Sequence, residues 1–250
     1  MKRAEPSPQT RDRIAANPAE GGREADYLRP GRFIDSDHPL IAAFVEKRAA
    51  GESEPLAAAV KLYYAVRDEI RYDPYVAYDD PQNYRASSVL SCGYGFCVGK
   101  AALLAAAARA RGIPARIAFA DVRNHLATPR LLSLAGTDVF IYHGITELFL
   151  EGRWVKATPT FNLSLCRKFR IEALDFDGRA DALLHPFDLE GRKHMEYLRR
   201  HGSYADVPAE ILIPAMRKAY PNLVRLGEDE RGDFAKEASE GSSAERPERL

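Results

Sequence analysis

Cys97 is the residue of this 250-residue chain whose setting best suits a nucleophile. It follows a glycine-bearing turn, Gly93 to Gly95, and opens an alanine-rich stretch that predicts a long helix. The N-terminus of a helix presents free N–H groups and partial positive charge, which lower the pKa of a thiol and can hold an oxyanion beside it. We therefore take Cys97 as the candidate nucleophile; the alternative is an ordinary buried cysteine.

His143 is the candidate general base for that thiol. It lies in a β-type run from 139 to 150, with Glu147 four residues on, and positions i and i+4 of a strand share one face. The alternative is a core histidine satisfied by one backbone hydrogen bond. Because a third group usually orients such a base, we expect that group on the neighbouring predicted strand, Trp154 to Thr158.

The order of predicted elements gives the fold class. Helices are predicted after N-caps at Asp37 and Ser53, and the alanine-rich helix runs on from Cys97. Further predicted segments are a short helix at 87–90, strands at 115–120, 139–150 and 154–158, and helices near 193–200 and 208–220. Because strands do not alternate with helices along the chain, the prediction is an α+β fold with antiparallel strands.

Composition excludes several classes of protein. Hydrophobic residues make up 46% of the chain and charged residues 29%, as in a globular protein with a sizeable core. Basic and acidic residues both number 36, which argues against a broad nucleic-acid surface. No apolar run reaches the roughly 18–20 residues of a membrane helix, and the N-terminus lacks the apolar region of a secretory signal. Three cysteines are too few for a disulfide framework, so we expect a cytoplasmic protein.

The predicted domain is flanked by two tails. Residues 1–25 carry prolines, glycines and charges with one large aliphatic side chain, which predicts a disordered tail. Residues 227–250 hold eight acids against four bases and almost no apolar anchors, so we expect an acidic flexible tail. Between them we expect a single domain over 33–226, with a core at about 60–165 and a C-terminal extension at 166–226.

The sequence around Cys97 resembles the cysteine segment of the transglutaminase-like superfamily. The matching residues are Gly95-Phe96-Cys97, Ala101, Arg109 and Gly112-Ile113-Pro114-Ala115-Arg116, after the lead-in Ala86-Ser87-Ser88-Val89-Leu90. The block His143, Glu147, Gly152 and Trp154 also fits the family. The resemblance covers roughly Val60 to Asn162.

This resemblance implies a papain-like core, in which the cysteine-bearing helix packs on an antiparallel sheet that carries histidine and aspartate. It implies a Cys–His–Asp triad that acts on amide bonds, with a peptide or protein amide as substrate partner and with no metal or organic cofactor. Compact, bacterial-looking members of the family resemble proteases more than crosslinking transferases, and some members are inactive scaffolds.

One departure from the family pattern concerns the third group. Thr158 stands where the family carries the orienting aspartate. A hydroxyl can accept a hydrogen bond from the imidazole and fix its tautomer, but it supplies no negative charge. Asn162 is an alternative orienting residue, as are Asp138 and Asp177 from outside the motif, whereas Asn83 or Tyr84 could donate to an oxyanion.

Other candidate sites are weaker. Cys92, Cys97, Cys166 and His143 lack the spacing of zinc ligands, and the glycines around Cys97 fail the spacing of a phosphate loop. The further histidines line a substrate rim or a solvated surface: His185, His194 and His201.

The sequence therefore predicts a transglutaminase-like cysteine hydrolase or acyltransferase that forms an acyl-enzyme on Cys97, hydrolase in preference to transferase. The first alternative is a weak or inactive peptide-binding module of the same fold, because Thr158 replaces the family aspartate. The second is a redox pair of Cys92 and Cys97. The oligomeric state and the substrate are left open.

Overall fold

The computed structural model describes residues 24–224 and 232–241 of the chain. Its helices in chain order are α1 (Pro39–Ala49), α2 (Pro55–Glu69), α3 (Ala86–Cys92), α4 (Cys97–Ala110), α5 (Pro129–Ala135), α6 (Leu163–Phe169), α7 (Ala209–Ala219), α8 (Pro221–Val224) and α9 (Phe234–Gly241). Short 3₁₀ turns lie at Glu24–Leu28 and Pro81–Tyr84. The strands are β1 (Arg71–Tyr72), β2 (Tyr94–Gly95), β3 (Ala115–Asn124), β4 (Val139–Leu150), β5 (Arg153–Ala157) and β6 (Met195–Tyr204).

A four-stranded antiparallel sheet forms one layer, with strand order β5-β4-β3-β6. In its register Ile117 of β3 pairs with Thr146 of β4 on one side and with Tyr204 of β6 on the other. The short strands β1 and β2 pair in parallel just before α4. The predicted α+β class with an antiparallel sheet is thus confirmed.

Helix α4 lies at the centre of the molecule, and its side chains are buried from Val98 to Arg109. Alanines favour the helix and let neighbouring elements approach it closely. The hydroxyl of Thr146 on β4 donates to the carbonyl of Ala101 at 2.9 Å. Lys100 is fully buried and donates to the carbonyls of Arg67 and Ile70, at 2.9 and 2.6 Å, at the end of α2. These bonds fix the first turns of α4 between α2 and the sheet.

Local predictions for the helices differ in outcome. The short helix before Cys97, the alanine-rich helix and the helix near 208–220 are confirmed as α3, α4 and α7. The helix predicted near 193–200 is wrong, because these residues belong to strand β6, which completes the sheet against β3. The predicted N-caps are also wrong: His38 accepts from the N–H of Leu40 at 3.2 Å, and Glu54 occupies the N-cap of α2.

The folded body extends beyond the predicted domain of 33–226 at both ends, within the residues that the structure describes. Tyr27 is buried and packs edge-on against Trp154, with ring centroids 5.1 Å apart, so the body begins before residue 33. The acidic segment after 227 is not wholly a solvated tail, because α9 packs on the body through Phe234, whose ring lies 5.4 Å from that of Phe169. Residues 1–23, 227–231 and 242–250 of the two predicted tails lie outside the described residues.

A single carboxylate adds to the anchoring of α9. Glu237 accepts hydrogen bonds from the hydroxyls of Tyr75, at 2.6 Å, and Thr128, at 2.8 Å. Ala238 of α9 is also buried, and Lys168 donates to the carbonyl of Ala235 at 2.9 Å. In the described part of the chain, no helix has both the length and the apolar character needed to cross a bilayer.

Candidate active site

Cys97 is the first residue of α4 and is partly buried. Burial raises the pKa of the Cys97 thiol to about 11, although the nearby backbone N–H groups of Gly144 on β4 and of Val98 act to lower it. The lowered pKa expected from the helix N-terminus alone is therefore wrong for this structure, because aromatic walls remove the sulfur from water. The resting thiol is neutral.

His143 lies on β4 beside the start of α4 and is buried. Its ring meets the ring of Tyr197 on β6 edge-on, at 6.2 Å between centroids. Nε2 is buried and forms no hydrogen bond with any residue that the structure describes. Burial lowers the pKa of His143 to about 4, so the imidazole is neutral at physiological pH and can accept a proton.

The two side chains line one cavity of about 40 Å³. The rest of its lining is mostly aromatic and aliphatic, from both halves of the chain: Tyr72, Tyr78, Phe96, Val122, Asn124, Leu131, Phe140, Ile141, Thr160, Phe161, Met195, Met216 and Tyr220. Among the described residues, this lining includes no carboxylate or ammonium group. The cavity thus joins the predicted nucleophile and the predicted base in a water-poor setting.

Gly144 explains how β4 comes so close to the nucleophile. A Cβ atom at this position would lie 2.8 Å from the Cα of Val98 and 3.3 Å from the carbonyl oxygen of Cys97. Only glycine lets the strand rest this close to the first turn of α4. Reasoning from the sequence misses Gly144, although a glycine inside a strand, directly after the candidate base, indicates close backbone contact.

Thr158, in the position of the family aspartate, is fully buried beside Tyr197. Its Oγ1 makes no hydrogen bond under standard geometry with the described residues. It lines a second small cavity, together with Phe161, His185 and His194. Thr160, two residues on, lines the cavity of Cys97 and His143, and its Oγ1 is likewise buried and unpaired among the described residues. The structure thus brings Thr160, which the sequence did not indicate, into the cavity of the base, whereas Thr158 lines the neighbouring cavity.

The supporting residues considered in the sequence serve other bonds. Asn162 accepts from the N–H of Tyr72 at 3.1 Å and donates to Ser164 at 2.7 Å, so it anchors a cavity wall instead of the imidazole. Asn83 donates to the carbonyl of Ala77 at 2.8 Å. Tyr84 donates to the carbonyl of Tyr78 at 2.6 Å. Neither of these two donors lines the cavity of Cys97, which does not favour an oxyanion role.

The two aspartates considered as orienting groups also lie elsewhere. Asp138 pairs with Arg123 at 3.5 Å, and Asp177 accepts from the N–H groups of Arg179 and Ala180 in an exposed turn. Glu147 accepts from Arg116 at 2.6 Å and from Ser203 at 2.7 Å, so it braces the far half of the sheet.

The remaining histidines and cysteines are not simply solvated surface. His194 is buried, with a pKa lowered to about 4 by burial, and His201 packs against Tyr142 and Asp121. Cys92 is exposed, Cys166 is buried, and both thiols are free, as is Cys97. Across 24–224 and 232–241, no three His, Cys, Asp or Glu side chains cluster in a way that could hold a metal ion.

A family profile matches the middle of the chain. The sequence profile of the transglutaminase-like superfamily matches residues 42–159, which include Cys97, His143 and Thr158. This segment belongs to the transglutaminase-like superfamily. The match runs from within α1 to just beyond β5 and includes both Cys97 and His143. It ends before β6 and α7, whose side chains complete the cavity wall.

Two solved structures resemble the chain at low identity. One is a putative cysteine protease from Cytophaga hutchinsonii, with a TM-score of 0.47 and 17% identity over 77% of this chain and 50% of that one. The other is a putative protease from Parabacteroides distasonis, with a TM-score of 0.34 and 16% identity over 56% of this chain and 27% of that one. The chain therefore spans half or less of the length of these neighbours. No curated protein matches the chain.

Proposed function

We propose that this transglutaminase-like protein is a cysteine enzyme that cleaves amide or peptide bonds through an acyl-enzyme on Cys97. The observation that carries the proposal is the cavity shared by Cys97 and His143. The nearby backbone N–H groups of Gly144 and Val98 favour the charged form of the sulfur. Residues beyond the family segment, among them Thr160 and Tyr220, complete the lining of the cavity.

The proposed reaction uses two neutral groups. His143 accepts the thiol proton as the sulfur of Cys97 attacks the substrate carbonyl, and the imidazolium then protonates the leaving amine. Backbone N–H groups at the start of α4 face the oxyanion that forms beside the sulfur. Water, or an amine in a transferase, attacks the thioester while His143 takes its proton; the C–S bond then breaks, and the imidazolium returns the proton to the sulfur of Cys97. In place of a carboxylate, Thr158 and Thr160 are the candidates to orient the ring during the reaction, since both hydroxyls are buried and unpaired among the described residues.

The resting state of the cavity disfavours a preformed ion pair. The thiol pKa is about 11 and that of the imidazole about 4, so moving the proton between the isolated groups costs on the order of 10 kcal/mol. Electrostatic attraction between the resulting thiolate and imidazolium offsets part of this free energy. A cavity of about 40 Å³ holds a few water molecules at most. A peptide therefore enters only as the aromatic walls separate, and the proton transfer accompanies attack.

A peptide-binding module without turnover is the second candidate function. Two observations favour it: a neutral hydroxyl stands in the aspartate position, and burial raises the pKa of the Cys97 thiol. The two functions differ in whether the reactivity of Cys97 depends on His143.

The test is alkylation with iodoacetamide between pH 5 and 9, with each modified thiol quantified by peptide mass spectrometry. Cys92 is exposed and serves as the reference thiol within the same molecule. An enzyme requires that His143→Gln slow the labelling of Cys97 by at least tenfold, with Cys92 unchanged. Equal labelling of Cys97 in both proteins would contradict the enzyme and favour the binding module. A reversible Cys92–Cys97 bridge on mild oxidation would instead indicate a redox pair.

A further inference from the structure

Strand β4 is irregular immediately before His143. In the pairing of β3 with β4, Ala120 faces His143, but Val122 faces Phe140, so Asp121 opposes two residues, Ile141 and Tyr142. Tyr142 has φ of +53°, a left-handed conformation that a bulky aromatic residue rarely adopts. Such a bulge re-aims the side chains that follow it, and bulges occur next to active sites more often than elsewhere.

Side chains from three elements hold this bulge. The carboxylate of Asp121 accepts from the N–H of Tyr142 at 3.1 Å, and the same oxygen lies 2.7 Å from Nε2 of His201 on β6. The ring of His201 stacks on that of Tyr142, at 4.2 Å and 24°. Tyr220 accepts from the N–H of Ile141 at 2.6 Å. Both N–H groups that the bulge removes from the β3–β4 ladder are therefore satisfied by side chains.

The register on either side of the bulge decides where His143 points. Without the extra residue, the alternation along β4 would shift by one and turn His143 to the opposite face of the sheet. The left-handed conformation of Tyr142 is strained, so it persists only because neighbours enforce it. Asp121 is the neighbour that contacts both the strained backbone and the ring stacked on Tyr142.

We propose that Asp121 is a positioning residue for His143, with His201 as its partner: the pair holds the β4 bulge that aims the base at Cys97. This inference rests on the proposed function. The carboxylate of Asp121 acts through its contact with the backbone of Tyr142, the residue before His143, and not through the imidazole of His143. The other charged group that faces Asp121 across the β3–β6 pairing is Arg199.

The test compares Cys97 alkylation in Asp121→Ala and Asp121→Asn with Asp138→Ala as the matched control. Asp138 is a half-exposed carboxylate at the approach to β4, and its side chain pairs with Arg123. We expect Asp121→Ala to slow Cys97 labelling about tenfold at pH 7, the scale of one lost hydrogen bond to a charged group. Asp121→Asn keeps an acceptor for Tyr142 and stays within about threefold of wild type. Asp138→Ala leaves the rate unchanged.

Two results would overturn the inference. One is an Asp121→Ala protein that labels at Cys97 as wild type does while His143→Gln remains slow; the proposed function then stands and Asp121 is only structural. The other result comes from His201→Phe, which keeps an aromatic ring stacked on Tyr142 and serves as the test if Asp121→Ala does not fold. We expect His201→Phe to slow the labelling of Cys97 two- to fourfold. Labelling at the wild-type rate would refute the partnership of Asp121 and His201. If Cys97 in His143→Gln labels at the wild-type rate, that result contradicts the proposed function itself.

Discussion

Gly144→Ala tests most sharply how the strand and the helix create the site. The new Cβ would lie 2.8 Å from the Cα of Val98, whereas carbon atoms in contact are ordinarily about 3.5–4.0 Å apart. Strand β4 must therefore move away from α4 by roughly 0.7 Å or more. That movement carries His143 away from Cys97 and increases the distance between the backbone N–H of residue 144 and the sulfur.

The expected effect on reactivity is much larger than the effect on stability. Overpacking of this kind costs about 1–3 kcal/mol, which lowers the melting temperature by a few degrees in a chain of this size. A misplacement approaching 1 Å between reacting groups can cost about 10²-fold in rate. We therefore expect a folded protein in which His143-dependent labelling of Cys97 falls by at least tenfold.

Gly152→Ala is the matched control within the same hairpin. Gly152 has φ of +80°, and a Cβ added there would meet no heavy atom within 4 Å, so alanine costs about 1–2 kcal/mol through backbone strain alone. The assay is iodoacetamide labelling of Cys97 relative to Cys92, with melting temperatures measured alongside. Equal rates in Gly144→Ala and wild type, or equal losses in both glycine variants, would refute the argument that close contact creates the site.

The other predictions concern the C-terminal helix, acid stability and the orienting hydroxyl. Phe234→Ala should lower the stability of the whole protein by about 3 kcal/mol or more, read from urea unfolding, because its buried ring anchors α9; an unchanged midpoint would show that α9 is not docked. Burial holds the pKa values of His143 and His194 at about 4, below the usual 6.5, so the unfolded chain binds more protons between these values. Stability should therefore be complete above pH 6.5 and fall toward pH 4, by about 3 kcal/mol per histidine, and His194→Gln should remove about half of the fall; a flat profile would contradict the burial of both rings. Thr158→Val should slow His143-dependent labelling about tenfold if Thr158 orients the ring, and Thr160→Val should do so if Thr160 does; no loss in either variant would exclude both hydroxyls.

The central helix and the hairpin of the fold were predictable because their determinants are local. Alanine content and the glycine after Arg111 define α4, and apolar alternation with a glycine turn defines the β4–β5 hairpin. Strand β6 was not predictable, since its partner β3 lies some 80 residues earlier in the sequence and only that pairing makes it a strand. The helix α9 was missed for a similar reason: Phe234 stabilises it through contacts with residues far away in the chain.

The candidate site likewise has features that the sequence predicts and features that it does not. Cys97 and His143 were predictable, because a helix start and a family motif are readable along the sequence, and the structure brings the two side chains to one cavity. The state of the thiol was not, because burial among side chains that are far apart in the sequence, such as Tyr78 and Tyr220, reverses the expected pKa change. Nor could the sequence tell that Thr160 joins His143 in that cavity while Thr158 faces the neighbouring one.

Formation of an acyl-enzyme tests the account most directly. The protein would be mixed with the p-nitrophenyl ester of an N-acetylated apolar amino acid, and its intact mass recorded from milliseconds to minutes after mixing. The account predicts an added acyl group that maps to Cys97, is absent in Cys97→Ala, forms at least tenfold more slowly in His143→Gln, and is lost as water hydrolyses the thioester. An adduct equally abundant in Cys97→Ala, or none at Cys97 while the ester is consumed, would contradict it.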